Sequence, residues 1–186
     1  SLNQHVGGGK PWDVARMRGG VRLLQPYQAR GSQDWYQGTA DAVRKQKFEI
    51  RSTGAENVLI LAGDHLYRMD YSVMADFHWA NKADITVAVQ PVSREDASRF
   101  GILKREKDCR ITNFVEKPKE REEQDRFVSR DDPKRPFLGS MGIYLFKTSL
   151  LLDLLTEFPN LDDFGADVIP HALSGHAVYG FDFDGY

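Results

Sequence analysis

Residues 56–71 read ENVLILAGDHLYRMDY, from Glu56 to Tyr71. Within this stretch Val58 to Ala62 is a short apolar run rich in branched side chains. It is too brief for a free-standing helix and is expected to form a strand buried on both faces. Gly63 breaks the run and Asp64 follows, so a carboxylate stands at the carboxyl end of a central strand. In open α/β sheets, ligands bind in the crevice beyond such strand ends. A hard cation such as Mg2+ takes oxygen ligands, commonly one or two carboxylates plus substrate phosphates. Asp64 is therefore a candidate metal ligand. The competing reading is structural: Asp64 caps a helix starting near Tyr67 or Asp70.

Upstream of this strand, Val21 to Leu24 reads as a short strand stopped by Pro26. Gln28 to Gln37 is a polar loop carrying Trp35 and Tyr36. From Thr39, a plausible N-cap, the residues Ala40, Val43, Lys47 and Ile50 recur at helical steps until Gly54. Gly7-Gly8-Gly9-Lys10 lacks phosphate-loop spacing and has no preceding strand, so it reads as a surface loop.

Downstream, Tyr71 to Asn81 is expected to be a helix with Val73, Met74, Phe77 and His78 on one face, His78 serving as a core histidine. Ile85 to Val89 is the next buried strand, and the alternation of strands and helices points to a mainly parallel sheet. Phe100–Lys104 and Ile111–Val115 form a hairpin about a polar turn at Lys107-Asp108, and Lys119 to Arg135 reads as an exposed charged loop. Phe137 to Phe146 is a buried strand whose Gly139 and Gly142 permit close backbone approach. Helices over Thr148–Glu157 and Phe164–Leu173 and a strand from Val178 to Phe183 complete the pattern.

The 186 residues suit one domain with a real core. With 41% hydrophobic and 28% charged residues the composition is that of an ordinary soluble protein. A net charge of -2 gives no general attraction to nucleic acid or anionic membranes. No apolar run approaches the ~20 residues of a bilayer-spanning helix. The lone Cys109, in the polar segment KREKDCR, excludes an intrachain disulfide framework and reads as an incidental thiol. These features fit a reducing cytoplasm. Both ends of the sequence read as cut, which marks an internal piece of a longer protein.

Six ordered blocks change the weight of these readings. They are GTADAV (38–43), LAGDHLYRMDY (61–71), FGI (100–102), FVEKP (114–118), SMGIY (140–144) and DFG (163–165). Together they resemble the sugar-phosphate nucleotidyltransferases over nearly the whole chain, and most closely the adenylyl-transferring branch that acts on glucose 1-phosphate. The resemblance implies a three-layer Rossmann-like α/β core with a mostly parallel central sheet. It implies attack of the sugar phosphate on the α-phosphorus of ATP, giving ADP-glucose and pyrophosphate for glycogen or starch synthesis. No covalent nucleophile is needed, and no Ser/His/Asp or Cys/His arrangement stands out. Positioning and charge neutralisation carry such a reaction.

The same resemblance implies the site. Asp64 holds Mg2+ and, with Lys117, acts in catalysis. Tyr36, Gly101, Glu116, Lys117 and Ser140 bind glucose 1-phosphate, while Gln28, Gly38 and Thr39 line the nucleotide pocket. The family's glycine-rich phosphate motif and first strand would lie upstream of residue 1. A second metal aspartate and a β-helix domain would lie beyond residue 186, so residues 1–186 are expected to be part of a catalytic domain and inactive alone. The full-length protein is expected to be a cytoplasmic (in plants, plastidic) homotetramer under allosteric control, with neither nucleic acid nor membrane as partner. Two alternatives stay open: thymidylyl or uridylyl transfer to a sugar 1-phosphate, and a non-catalytic regulatory subunit that binds a nucleotide sugar.

Overall fold

The computed structural model describes residues 20–24, 35–63 and 68–183. The chain separates into two compact units, Ser1–Tyr36 and Gln37–Tyr186. In the first, Val21 to Leu24 is not a strand: Leu23 and Leu24 are 43% and 44% exposed and pair with no other described strand. Two leucines that stay more than two-fifths exposed gain too little from burial to offset the entropy of ordering a strand.

The second unit is an α/β layer structure. Its helices and strands follow in the order α1 (Thr39–Arg44), α2 (Lys47–Thr53), β1 (Asn57–Ile60), α3 (Tyr71–Ala80), β2 (Ile85–Val92), β3 (Gly101–Arg105), β4 (Ile111–Glu116), α4 (Arg121–Asp125), β5 (Phe137–Lys147), α5 (Thr148–Glu157), a π-helical turn (Phe164–Val168), α6 (Ile169–Ala172) and β6 (Val178–Asp182). The helix foreseen from Thr39 is two helices, broken at Lys45 and Gln46 and ended by Gly54 at φ 67°. The foreseen charged loop over 119–135 contains α4, whose Gln124 is buried and donates to the Pro118 carbonyl at 3.0 Å.

The described strands form one six-stranded sheet in which β4-β3-β5-β2-β6 is a continuous path and β1 pairs with β5. Strands β1, β2, β3 and β6 point the same way, which is the parallel character expected of the fold. β5 and β4 run against them, so only the β2–β6 neighbours pair in parallel and the sheet is mixed. Periodicity could not reveal this, because a strand buried on both faces looks alike in either direction.

Alternation along β2 separates the two faces. Ile85, Val87 and Val89 join Phe146, Leu151, Phe164 and Ile169 in one core cluster beneath α5 and α6. Ala88 joins Met74, Met141, Ile143 and Leu145 in another beneath α3. That makes three layers, helix on sheet on helix. Within α3, Met74 and His78 are buried as expected, whereas Val73 is 53% exposed and departs from the expected face. His78 Nδ1 meets Thr86 Oγ1 at 2.7 Å, a core histidine held by β2.

Candidate active site

Along one edge, β5 changes partners. Tyr144 to Lys147 pair with β1, while Leu138 and Gly139 pair with β3. On the other edge, Val87 opposes Tyr144 and Val89 opposes Ser140, so two steps of β2 face four of β5. The extra residues form a bulge, with Gly142 at φ 68°, a conformation glycine adopts without a Cβ clash. The carboxyl end of β1 therefore opens into a gap opposite the start of β3. A cavity of about 420 Å³ lies there, bordered by Ile60 to Gly63, Gly142, Tyr144, Glu116, Thr39 and Asp163 to Gly165.

Glu116, the last residue of β4, pairs in register with Gly101 at the start of β3. A Cβ on Gly101 would stand 2.6 Å from Glu116 Oε2, and a Cβ on Gly165 would stand 2.5 Å from it. The two glycines thus leave room for one carboxylate, and at 101 the Phe114 ring, 2.5 Å from where a Cβ would stand, excludes a side chain as well. Burial pushes the Glu116 carboxyl above its ordinary range; adjacent Lys117 works against this and Asp163 adds to it. Lys117 Nζ lies 3.3 Å from Glu116 Oε1 and its side chain is 61% exposed. Its backbone φ is 47°, in the left-handed region that non-glycine residues occupy at a cost. The Lys117 amide donates to the Phe100 carbonyl at 3.0 Å, which ties this conformation to the start of β3.

The segment 162–167 is shaped by its own aspartates. Asp167 Oδ2 accepts from the amides of Asp162 and Asp163 at 3.0 and 2.9 Å, and Asp163 Oδ1 accepts from Gly165 and Ala166, both at 2.9 Å. Thr39 Oγ1 donates to Asp163 Oδ2 at 3.0 Å and accepts from the Phe164 amide at 3.1 Å. Thr39 is therefore the first residue of α1, with Gly38 in the N-cap position, and its hydroxyl joins two segments instead of capping its own helix. Tyr144 is buried in the wall; burial pushes its phenol up to about 12.

Of the residues named from sequence, Thr39 and Glu116 border the cavity. Gly101 and Lys117 flank Glu116. Ser140 is buried within the bulge, its Oγ accepting from the Gly142 amide at 3.2 Å and standing 3.5 Å from the Tyr144 hydroxyl. Gly38 lies against the Asp162 carbonyl, where a Cβ would come within 2.3 Å. Tyr36 belongs to the first unit. Asp64 and Gln28 lie outside the described residues. α3 is capped by Asp70, which accepts from the Ser72 amide at 2.9 Å, and not by Asp64. Among the described residues no group of three or more His, Cys, Asp or Glu is placed to hold a metal. Sequence reasoning gave no role to Tyr144, Asp163, Phe164 or Gly165; the only signal for them was their place in the ordered blocks.

The family model described as "Nucleotidyl transferase" matches residues 1–186. The chain is 47% identical to a glucose-1-phosphate adenylyltransferase of Thermomicrobium roseum, all of the chain aligning with 42% of that protein. It is 43% identical to the enzyme of that name from Thermosipho africanus and 42% identical to that from Lachnospira eligens, covering 43% and 41% of them. The chain thus spans less than half the length of the curated relatives it matches. With a family match over its whole length and a cleft at the carboxyl end of β1, the chain belongs to the nucleotidyl transferase family.

Proposed function

We propose that the intact protein transfers the adenylyl group of ATP to α-D-glucose 1-phosphate, releasing pyrophosphate and supplying ADP-glucose for glycogen or starch synthesis. The observation that carries this reading is the Glu116 carboxylate, set between Gly101 and Gly165 at the cavity wall with Lys117 beside it. A carboxylate accepts hydrogen bonds from sugar hydroxyls, and an adjacent ammonium balances a sugar phosphate as a point charge. Ser140, on the β5 bulge, supplies a further hydroxyl. Thr39 at the start of α1 borders the same cavity, which supports a nucleotide role for Gly38 and Thr39. Tyr36 covers the sugar phosphate and Gln28 meets the base edge in this proposal.

Two polyanions meet in such a reaction, so charge must be neutralised without a covalent step. Asp64, next in the chain to Gly63 at the cavity border, would hold Mg2+, and the ion would supply that neutralisation. The likeness to enzymes named glucose-1-phosphate adenylyltransferase supports adenylyl over thymidylyl or uridylyl transfer. A cytoplasmic, allosterically controlled homotetramer completes the proposal; among the described residues no helix is long and apolar enough to cross a membrane. Pyrophosphate release from the intact protein with glucose 1-phosphate and each triphosphate in turn tests the reading. ATP is expected to give the highest kcat/KM, and a preference for dTTP or UTP would overturn it.

A further inference from the structure

A second cavity, of about 820 Å³, lies at the opposite end of β1 from the cleft. The end of α2, residues 54–57 leading into β1, the last turn of α3 with Lys82 and Ala83 after it, and the start of α5 line it, and it opens broadly to solvent. The four residues of β1 separate it from the proposed reaction, and none of its wall serves that reaction.

Three features of the wall converge. First, it carries three cations, Arg51, Lys82 and Lys147, against one carboxylate, Glu56. Lys147 is paired with Asp84 at 2.7 Å, and the wall remains cationic with that pair counted. Second, the indole of Trp79, 58% exposed, stands at the wall as a flat apolar surface. Third, His78 and Thr148 border the cavity, are 2% and 9% exposed, and leave His78 Nε2 and Thr148 Oγ1 without a hydrogen-bond partner. His78 has already committed Nδ1 to Thr86. Folded proteins pair nearly all buried polar atoms, and each exception calls for an explanation such as strain, a chemical role, an ordered water or a bound ion. Thr148 also opens α5, a ten-residue helix with no side-chain cap, whose N-terminus favours negative charge.

We propose that this cavity is a second small-molecule site, specific for an anionic group carried on a flat apolar body. The anion sits at the start of α5 among Lys147, Lys82 and Arg51. The body lies against Trp79 and the apolar floor. Thr148 supplies a hydroxyl to the anion, and the His78 ring, held by Thr86, forms the wall beside it.

The test uses the intact protein and four probes: 1-naphthyl phosphate, 1-naphthoate, 1-naphthol and inorganic phosphate. Binding is followed by calorimetry and by the carbon-bound imidazole resonances of His78, assigned with a His78→Gln control. At least one naphthyl anion should bind, shift the His78 resonances and resist displacement by ATP or glucose 1-phosphate. The tighter of the two identifies the anionic group. Naphthol and inorganic phosphate should each bind at least about tenfold more weakly, since each lacks one half of the recognition. Lys82→Glu and Arg51→Glu are surface changes that keep the fold, and each should weaken the anion about tenfold or more. Naphthol binding as tightly as the anions, unmoved His78 resonances, or displacement by ATP would overturn the proposal.

Discussion

Lys117 holds a backbone φ of 47° at the point where β4 gives way to Pro118, with its ammonium 3.3 Å from Glu116. Strain of this kind persists where surrounding structure enforces it and often marks a binding site. Two changes separate the backbone from the charge. Lys117→Ala should raise the KM for glucose 1-phosphate by about 10- to 100-fold, the worth of a charge-assisted contact, and leave the KM for ATP nearly unmoved. Lys117→Gly should do the same to the sugar while keeping or raising the thermal midpoint, because glycine occupies a positive φ without a Cβ clash. Steady-state kinetics with each substrate varied in turn decides; parallel rises in both KM values would reassign Lys117.

Glu116 makes a prediction about pH. Its carboxyl titrates above the ordinary range in the folded chain, chiefly because it is buried. Folding therefore favours the protonated form, and stability falls as pH rises from the unfolded-state value through the folded one. Glu116→Gln removes that loss. The variant should gain stability over the parent as pH climbs out of the acidic range, and the difference should close below the ordinary carboxylate range. Urea midpoints of both proteins across that window test it, and a constant difference at every pH would contradict the buried-carboxylate account.

Among the elements, α1 is held to the 155–162 segment by the Arg44 side chain together with backbone bonds. The Arg44 guanidinium, 12% exposed, pairs with Asp41 at 2.9 Å and Asp162 at 3.1 Å. It also donates to the carbonyls of Leu155 and Leu161. Asp41 is buried, yet its carboxyl stays below the ordinary range: burial opposes this, and the Gln37 amide, Lys45 and Arg44 outweigh it. Arg44→Ala should cost about 2–4 kcal/mol, since it leaves charged and carbonyl acceptors without their donor while Lys45 still serves Asp41. The Ala40 amide hydrogen-bonds the Asp162 carbonyl at 2.8 Å and Thr39 holds Asp163. The variant should therefore also raise the sugar KM. Chemical denaturation and kinetics measure the two effects, and lost stability with an unchanged KM would uncouple this helix from the cleft.

Across the whole unit, one core cluster runs from Ala40 through the sheet to Val178, and Phe164 belongs to both that core and the cleft. Its ring lies 5.7 Å from the rings of both Tyr144 and Phe146. Phe164→Ala should cost about 3–5 kcal/mol through lost burial and the cavity left behind. Phe164→Leu should cost less, because more of the volume is kept. Urea unfolding of the two variants checks the order, and equal losses would show that packing volume does not set the energetics there. The coupling means that the cleft is no firmer than the core beneath it.

Local pattern alone determined the elements that depend on neighbours in sequence. The helix over Thr148–Glu157, the hairpin about Lys107-Asp108 and the end of α2 at Gly54 follow from periodicity and turn chemistry, which act within a few residues. The ordered blocks around GDHLYRMDY and VEKP also marked the α/β core and named Glu116, Gly101 and Thr39 before any contact was visible. Tertiary structure alone decided the direction of β5, the bulge at Gly142 and the gap where β5 exchanges β1 for β3. It also decided that Asp163 and Gly165, close to fifty residues further along, close over the Glu116 carboxylate. Strand direction and cleft walls depend on long-range pairing and on which faces meet, and neither leaves a period in the chain. That is why an apolar run could announce a strand but not its setting: β1 covers only Asn57–Ile60, is half-buried instead of buried on both faces, and among the described strands pairs with β5 alone, leaving Leu61 exposed.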